Sequence, residues 1–228
     1  MNNFFRNNTY VAVIADIKGS KAIKNREQIQ EKLKKILHNL NNKYSTYIAS
    51  KFTITLGDEF QGLLFNGMQI LPIISEIEQE MYPISIRYGV GIGEITTIID
   101  PEIAIGTDGP GYYKAREALE YLKQTEKKKQ AGRANIRIEA DGNQQLSMEL
   151  INTIFSLLTV IKDSWTERQR ETIWNMLNYQ DSQNEVAERL GITQPSVQKN
   201  LVKGNYYEYL NAFKVVQKFL SEIGRNDV

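Results

Sequence analysis

The chain contains no cysteine and a single histidine, His38, among its 228 residues. Without cysteine there are no disulfides, no thiolate nucleophile and no Cys-type zinc site, and one histidine removes most imidazole metal centres and His-based triads. What chemistry remains is carboxylate chemistry. The sequence also lacks an 18-residue apolar run and a charged-then-apolar N-terminus, so neither a membrane span nor a secretory signal is expected, and the cytoplasm is the expected location. An excess of charge of one sign is missing too. The formal net charge is +1, which exerts no general pull toward nucleic acid or membrane, so any such binding must come from a local patch. With 41% hydrophobic residues, the length suffices for one large domain or two small ones with a real core.

The most informative stretch is Thr53-Ile54-Thr55-Leu56-Gly57-Asp58-Glu59-Phe60-Gln61-Gly62-Leu63-Leu64. Phe52, Ile54 and Leu56 alternate with Thr53 and Thr55, the period-2 pattern of a half-buried strand, and Phe60, Leu63 and Leu64 resume an apolar run, which makes Gly57-Asp58 a hairpin tip. A carboxylate at such a tip can be turn chemistry alone. A second one stands at the end of the apolar run Tyr10–Ala15, in Asp16-Ile17-Lys18-Gly19-Ser20. If the two strands lie side by side, Asp16 and Asp58 face each other at one end of a sheet. Paired carboxylates beside a glycine-containing turn form a hard-oxygen site suited to Mg2+ or Mn2+ carrying phosphates.

Around these motifs the pattern alternates. Ile29, Leu33, Ile36, Leu37 and Leu40 mark an amphipathic helix over Arg26–Lys43, with His38 at its rim. Met68, Leu71, Ile74, Ile77 and Met81 mark another from about Gly67 to Tyr82, stopped by Pro83. Ile84–Gly93 returns as a strand. Strand, helix, strand, strand, helix, strand is the βαββαβ order of ferredoxin-like and palm-like sheets, in which the first strand and the central hairpin are neighbours. Gly106-Thr107-Asp108-Gly109-Pro110-Gly111 then opens a helix to Lys127. That loop could present N–H groups to a phosphate, or be a plain loop, since no P-loop or GxGxxG pattern is present. Lys127-Lys128-Lys129 and Gly132-Arg133 read as a solvated helix end. Asn135–Ala140 looks like an edge strand, and Asp141-Gly142-Asn143 closes a first domain, 1–143.

From residue 144 to 228 the pattern is helical. Ile151, Ile154, Phe155, Leu158 and Ile161 form the stripe of a connecting helix, and Thr166-Glu167-Arg168-Gln169 is a helix start. Ser182–Leu190, a turn at Gly191-Ile192, and a helix over Gln194–Lys203 capped by Thr193 with Pro195 in its first turn make a helix-turn-helix pattern. Its second helix exposes Gln194, Ser196, Gln198, Lys199 and Lys203, side chains able to read base edges or hold phosphates, and no acidic residue lies between Gly191 and Lys203. Against DNA as partner, Ser147–Val228 holds nine Lys plus Arg and ten Asp plus Glu, a net of −1, so affinity from counterion release would be modest. A helical bundle for dimerisation or protein contact is the alternative.

Asp16–Ser20 resembles the first metal-binding motif of class III nucleotidyl cyclases. Leu56–Phe60 resembles their second motif and the GGDEF signature of diguanylate cyclases, and Arg87–Glu94 resembles the strand that follows. A cyclase-like domain joined to a C-terminal helix-turn-helix is similar to the bacterial SatD family. The resemblance implies an α+β fold with a palm-type sheet domain and a helical domain. It also implies that Asp16 and Asp58 bind divalent ions, and that Ile17, Lys18, Gly19, Ser20, Gly57 and Arg116 contact a nucleoside triphosphate or other nucleotide. A homodimer is implied as well, since such cyclases build their sites across a dimer interface. The sequence departs from the cyclase pattern where the purine-selecting lysine would stand, at Ile54 or Thr55. It departs again in Tyr112–Glu117, which lacks the transition-state asparagine and aligns Arg116 only loosely. Arg87, Lys114, Arg116 and Arg133 are candidates to fill that gap. The expectation is therefore a DNA-binding regulator with a nucleotide- and metal-binding domain. The alternatives are an active nucleotidyl cyclase using Asp16 and Asp58, and a dimerisation platform in which the carboxylates are relics.

Overall fold

A computed structural model describes residues 9–128, 134–140, 145–179 and 181–223. The sheet half runs β1 (Thr9–Ile17), α1 (Arg26–Lys43), β2 (Ile48–Leu56), β3 (Glu59–Leu64), α2 (Ile70–Met81), β4 (Ile86–Glu94), α3 (Pro110–Lys127) and β5 (Ile136–Ala140). The strands form one sheet in the order β2-β3-β1-β4-β5. The first four pair antiparallel, and β5 joins parallel to β4 after the α3 crossover. The fold is α+β, and its first four strands have the neighbours that the βαββαβ order requires.

β1 is apolar on both faces because both faces are covered. Val11, Val13, Ala15 and Ile17 pack toward α1 and α2, while Ala12 and Ile14 pack with Tyr112, Ala115 and Leu119 of α3. On that second face β4 carries only glycine at three alternate positions. A Cβ added at Gly91 would lie 2.0 Å from the Gly111 carbonyl and 2.2 Å from the Ala115 nitrogen, and one at Gly89 would lie 2.2 Å from the Ala115 carbonyl. The helix backbone thus rests directly on the strand, which only hydrogen side chains allow. Gly111 meets Gly93, and Ala115 and Leu119 meet Gly89, so α3 runs antiparallel to β4. Its last turns are carried to the end of the sheet where β1 finishes and β4 begins.

The helical half comprises α4 (Gln145–Ser164), α5 (Glu167–Tyr179), α6 (Gln183–Leu190), α7 (Gln194–Lys203) and α8 (Tyr206–Ser221). α4 covers the outer edge of β5. The Asn152 side chain accepts a hydrogen bond from the Ile138 N–H and donates one to the Ile138 carbonyl, each at 2.8 Å. One side-chain amide thereby does what a neighbouring strand would do, and the edge is closed to further pairing. Phe155, Leu158, Trp165, Ile173, Val197, Leu201, Val216 and Leu220 continue the apolar cluster that begins on the α1–α2 face of the sheet. On the outer side of α4, Leu146, Leu150, Leu157 and Val160 are exposed.

Several boundaries differ from the sequence pattern for local reasons. α2 begins at Ile70 rather than Gly67 because the Gly67 N–H donates to the Ile223 carbonyl at 3.0 Å, and a Cβ there would lie 2.1 Å from the Leu220 carbonyl. Gly67 is where the end of α8 docks on the sheet half. Thr193 precedes α7, but its hydroxyl pairs with that of Ser196 rather than with a backbone N–H. Thr166 and Gln169 do form the reciprocal cap at the start of α5. Asp141-Gly142-Asn143, Lys129, Gly132 and Arg133 lie outside the described residues.

Candidate functional site

Asp16 is the penultimate residue of β1. Its cross-strand neighbours are Glu59 on β3 and Arg87 on β4. Directly opposed residues in a sheet share a face, here the face covered by α3. Asp16 is 7% exposed. Both its carboxylate oxygens accept from Arg87, from Nε at 2.8 Å and Nη2 at 3.2 Å. Arg87 also reaches Glu126 of α3 at 3.0 Å. Glu59 is held in the same bidentate way by Arg116, at 2.7 and 2.9 Å. Between the two pairs stands Lys123, whose Nζ is 3.3 Å from Asp16, 3.9 Å from Glu59 and 3.2 Å from Glu120.

Arg116, Glu120 and Lys123 recur at spacings of four and three residues, one face of a helix, and the glycine bed under α3 sets that face above Asp16 and Glu59. Burial disfavours the charge on Lys123, but Asp16 and Glu120 outweigh it and its pKa is raised. The hydrogen bonds to Glu59 likewise raise that of Arg116. Arg–carboxylate forks of this kind fix geometry as well as charge.

The glycine turn leaves β1 beside this cluster. The Lys18 N–H donates to the Ser85 carbonyl at 2.8 Å, and Gly19, at φ +62°, starts a single tight turn over Ser20–Ala22. The Lys18 ammonium bonds Asn135 at 2.7 Å and lies 3.9 Å from Glu126. Burial lowers its pKa, partly countered by Glu126. Ile17 is buried in the core behind the turn.

Gly57, at φ +66°, turns the β2–β3 hairpin. Its carbonyl accepts from Gln30 at 2.5 Å. The Asp58 carboxylate lies 3.7 Å from Arg26 at the start of α1, and its carbonyl accepts from the Ile17 N–H at 3.4 Å. The residue in register with Asp16 is therefore Glu59, while Asp58 is engaged by α1. The two were hard to separate in the sequence because adjacent residues of a hairpin tip point different ways, and one position of register decides which faces the neighbour. Arg26, Lys123 and Glu126 were not singled out from the sequence. The spacing of Arg116, Glu120 and Lys123 was legible there, but the face it occupies was not.

The Gly106–Gly111 loop sits at the other end of the sheet. Asp108 binds the chain leaving β4 through Thr96 and Thr97, and Gly109 packs on Glu94. Lys114 pairs with Glu117 at 2.8 Å. His38 is exposed beside Asn42, 3.2 Å away.

In the helical half, Gly191 at φ +62° ends α6 and accepts the sharp turn into α7. Gln194 donates to Gln183 at 2.6 Å, Gln183 donates to Gln198 at 2.5 Å, and the Tyr207 hydroxyl donates to Gln198 at 3.1 Å. Gln194, Ser196, Lys199 and Lys203 are exposed and Gln198 is half-buried. Of the polar side chains expected to face outward, Gln194 and Gln198 thus form a ladder with α6 and α8, and Lys199 and Lys203 project to solvent.

With the sheet, the Asp16 motif and the appended helices in place, the SatD family pattern matches residues 10–220. The chain belongs to the SatD family. No curated protein matches the sequence. Among solved structures, this SatD-family chain is similar to a dimeric guanylyl cyclase domain of the RhoGC fusion protein from the aquatic fungus Blastocladiella emersonii. That match has 15% identity and a TM-score of 0.38, covering 50% of this chain and 73% of that one. The guanylate cyclase domain of RhGC from Catenaria anguillulae, in complex with GTP, matches at 17% identity and a TM-score of 0.33, covering 50% and 73%. A regulator of polyketide synthase expression from Bifidobacterium adolescentis matches at 10% identity and a TM-score of 0.29, covering 92% and 86%. Each is a partial likeness.

The divalent ion implied for Asp16 and Asp58 does not fit the residues as they stand. The two carboxylates are held by different cations on different elements. Among the described residues no three Asp, Glu or His side chains converge on one point. Mg2+ asks for near-ideal octahedral oxygen geometry, and here the oxygens of Asp16 and Glu59 already accept from guanidinium groups.

Proposed function

We propose that this chain is a DNA-binding regulator whose sheet domain binds a nucleotide at the end of β1. The observation that carries the reading is the convergence of five cations from four separate segments, Lys18 after β1, Arg26 of α1, Arg87 of β4, and Arg116 and Lys123 of α3, on the glycine turn and the β2–β3 tip. Arg26 and Arg116 keep about half of their side chains open to solvent, at 50% and 45%, so incoming phosphate oxygens can reach them. In the helical half, α6 and α7 meet at the Gly191 turn, and Lys199 and Lys203 are exposed on α7 in a segment, Gly191–Lys203, that has no acidic residue, which supports a helix-turn-helix use of that surface.

Titration calorimetry with ATP and GTP tests the first half of the reading. Arg116→Ala with Arg26→Ala should weaken binding by at least about tenfold, since each lost phosphate–guanidinium bond is worth on the order of 1.5–3 kcal/mol. A folded wild-type protein that binds no nucleotide refutes it. Product formation from either triphosphate would instead make the domain an enzyme.

For the second half, Lys199→Ala/Lys203→Ala should lower DNA affinity and flatten its dependence on salt by about two phosphate contacts. Affinity and salt slope unchanged from wild type would remove α7 from the interface. The regulator is proposed to act as a homodimer, with the exposed Leu146, Leu150, Leu157 and Val160 of α4 as supporting observation. A monomer by sedimentation equilibrium would reject that state.

A further inference from the structure

The place between Asp16 and Glu59 is where a bridging cation would sit, and a side chain already fills it. Lys123 Nζ stands 3.3 Å from Asp16 Oδ2 and 3.9 Å from Glu59 Oε2. It arrives there because the glycine bed of β4 fixes the height and direction of α3. The charges around it close. Asp16, Glu59, Glu120 and Glu126 are matched by Arg87, Arg116, Lys123 and Lys18. A divalent ion entering this cluster would add two positive charges beside fixed cations and would have to strip carboxylate oxygens from two guanidinium forks. A polyanion meets the opposite situation at Arg116 and Lys123, whose side chains are 45% and 25% exposed and whose several N–H donors can be shared between carboxylate and ligand.

We infer that the Lys123 ammonium is a built-in substitute for the divalent ion at this site, so that the sheet domain takes its phosphate-bearing ligand without a metal. The inference rests on the nucleotide reading above for the identity of the ligand, but not for the occupancy of the cation position. Lys123 then has two roles. It neutralises Asp16 and Glu59 in the free protein, and it stands ready as a phosphate contact once ligand arrives.

The experiment uses the full chain and two probes. Mn2+ is titrated without nucleotide and followed by the loss of its free-ion paramagnetic resonance signal, for wild type, Lys123→Met, Lys123→Gln and Lys123→Met/Asp16→Asn. ATP and GTP are titrated in EDTA and again in Mg2+. Wild type should take up no Mn2+ below millimolar concentration. Removing the ammonium should raise Mn2+ affinity by at least about tenfold, because a like charge leaves the space between Asp16 and Glu59 and each carboxylate loses one of its two cationic neighbours. Asp16→Asn in the same background should abolish that gain. Nucleotide affinity in EDTA should lie within about threefold of that in Mg2+.

Stoichiometric Mn2+ binding by wild type overturns the inference, as does a nucleotide affinity that collapses in EDTA. No gain of Mn2+ in either folded Lys123 variant overturns it too, since the ammonium would then not be what keeps the ion out; two replacements of different polarity guard against one that fails to fold. If no nucleotide binds under either condition, the nucleotide reading fails while the Mn2+ series still decides the role of Lys123.

Discussion

Gly91→Ala should destabilise the protein by about 3 kcal/mol or more, or prevent folding outright. The added methyl would lie 2.0 Å from one backbone atom of α3 and 2.2 Å from another, and neither is the end of a flexible side chain that could move aside. The helix would have to lift off β4 along its length, opening the smaller core around Ile14, Tyr112 and Leu119. Urea unfolding measures the loss directly. Gly106→Ala is the control, because Gly106 has φ +92° but nothing within 4 Å of the added atom. It should cost only the strain of that backbone conformation, about 1–2 kcal/mol. Equal losses at the two positions would mean that close helix–strand approach is not what the β4 glycines provide. Because α3 carries Arg116 and Lys123, any Gly91 variant that does fold should also lose ligand affinity.

The other large effect is expected far from the ligand site, where the helical half meets α2. Lys162 of α4 lies 2.5 Å from Glu78 of α2, with the lysine and glutamate side chains 11% and 18% exposed. Burial works against the lysine charge, and Glu78, helped by Tyr209 and Asp163, more than offsets it, leaving the pKa raised. Glu78→Gln leaves that ammonium in the interface without its partner. The expected loss is on the order of 3 kcal/mol, the lower end for breaking a buried pair, since some solvent reaches both groups.

The pH dependence should change sign of slope as well. In wild type the lysine is more easily protonated folded than unfolded, so its contribution is full below the ordinary lysine range and is lost as pH rises through the raised folded value. In the variant, burial, the largest influence on Lys162, is opposed only by Tyr209 and Asp163, so the folded pKa is expected to fall below the unfolded one and the unfolded chain to bind more protons. Stability of the variant should therefore rise with pH from neutrality toward the lysine range, while wild type is flat and then falls. Lys162→Met in the Glu78→Gln background should recover most of the loss. A variant as stable as wild type, with the same pH profile, would show that the pair does not hold the two halves together.

Much of the architecture follows from local pattern. The α1 helix over Arg26–Lys43 coincides with its apolar spacing, the α7 helix over Gln194–Lys203 follows the Gly191-Ile192 turn with Pro195 in its first turn, and the Gly57-Asp58 tip falls where the period-2 runs break. These features were legible because each depends on residues within a few positions of one another: helix periodicity, turn glycines, caps. The composition itself, without cysteine and with one histidine, confined the chemistry to carboxylates and cations.

What tertiary structure decided was pairing. Strand register set Glu59, not Asp58, opposite Asp16, and gave Asp58 to Arg26. Ile84–Gly93 reads only as a strand until α3 is laid on its three alternate glycines, and only then do Lys123 and Glu126 belong to the same site as Asp16 and Arg87. Asn152, unremarkable in its helix, closes a sheet edge. The physical reason is common to all of these. Periodicity fixes which way a side chain points from its own element, but the partner it meets depends on how elements from distant parts of the chain are stacked, and no local pattern carries that distance.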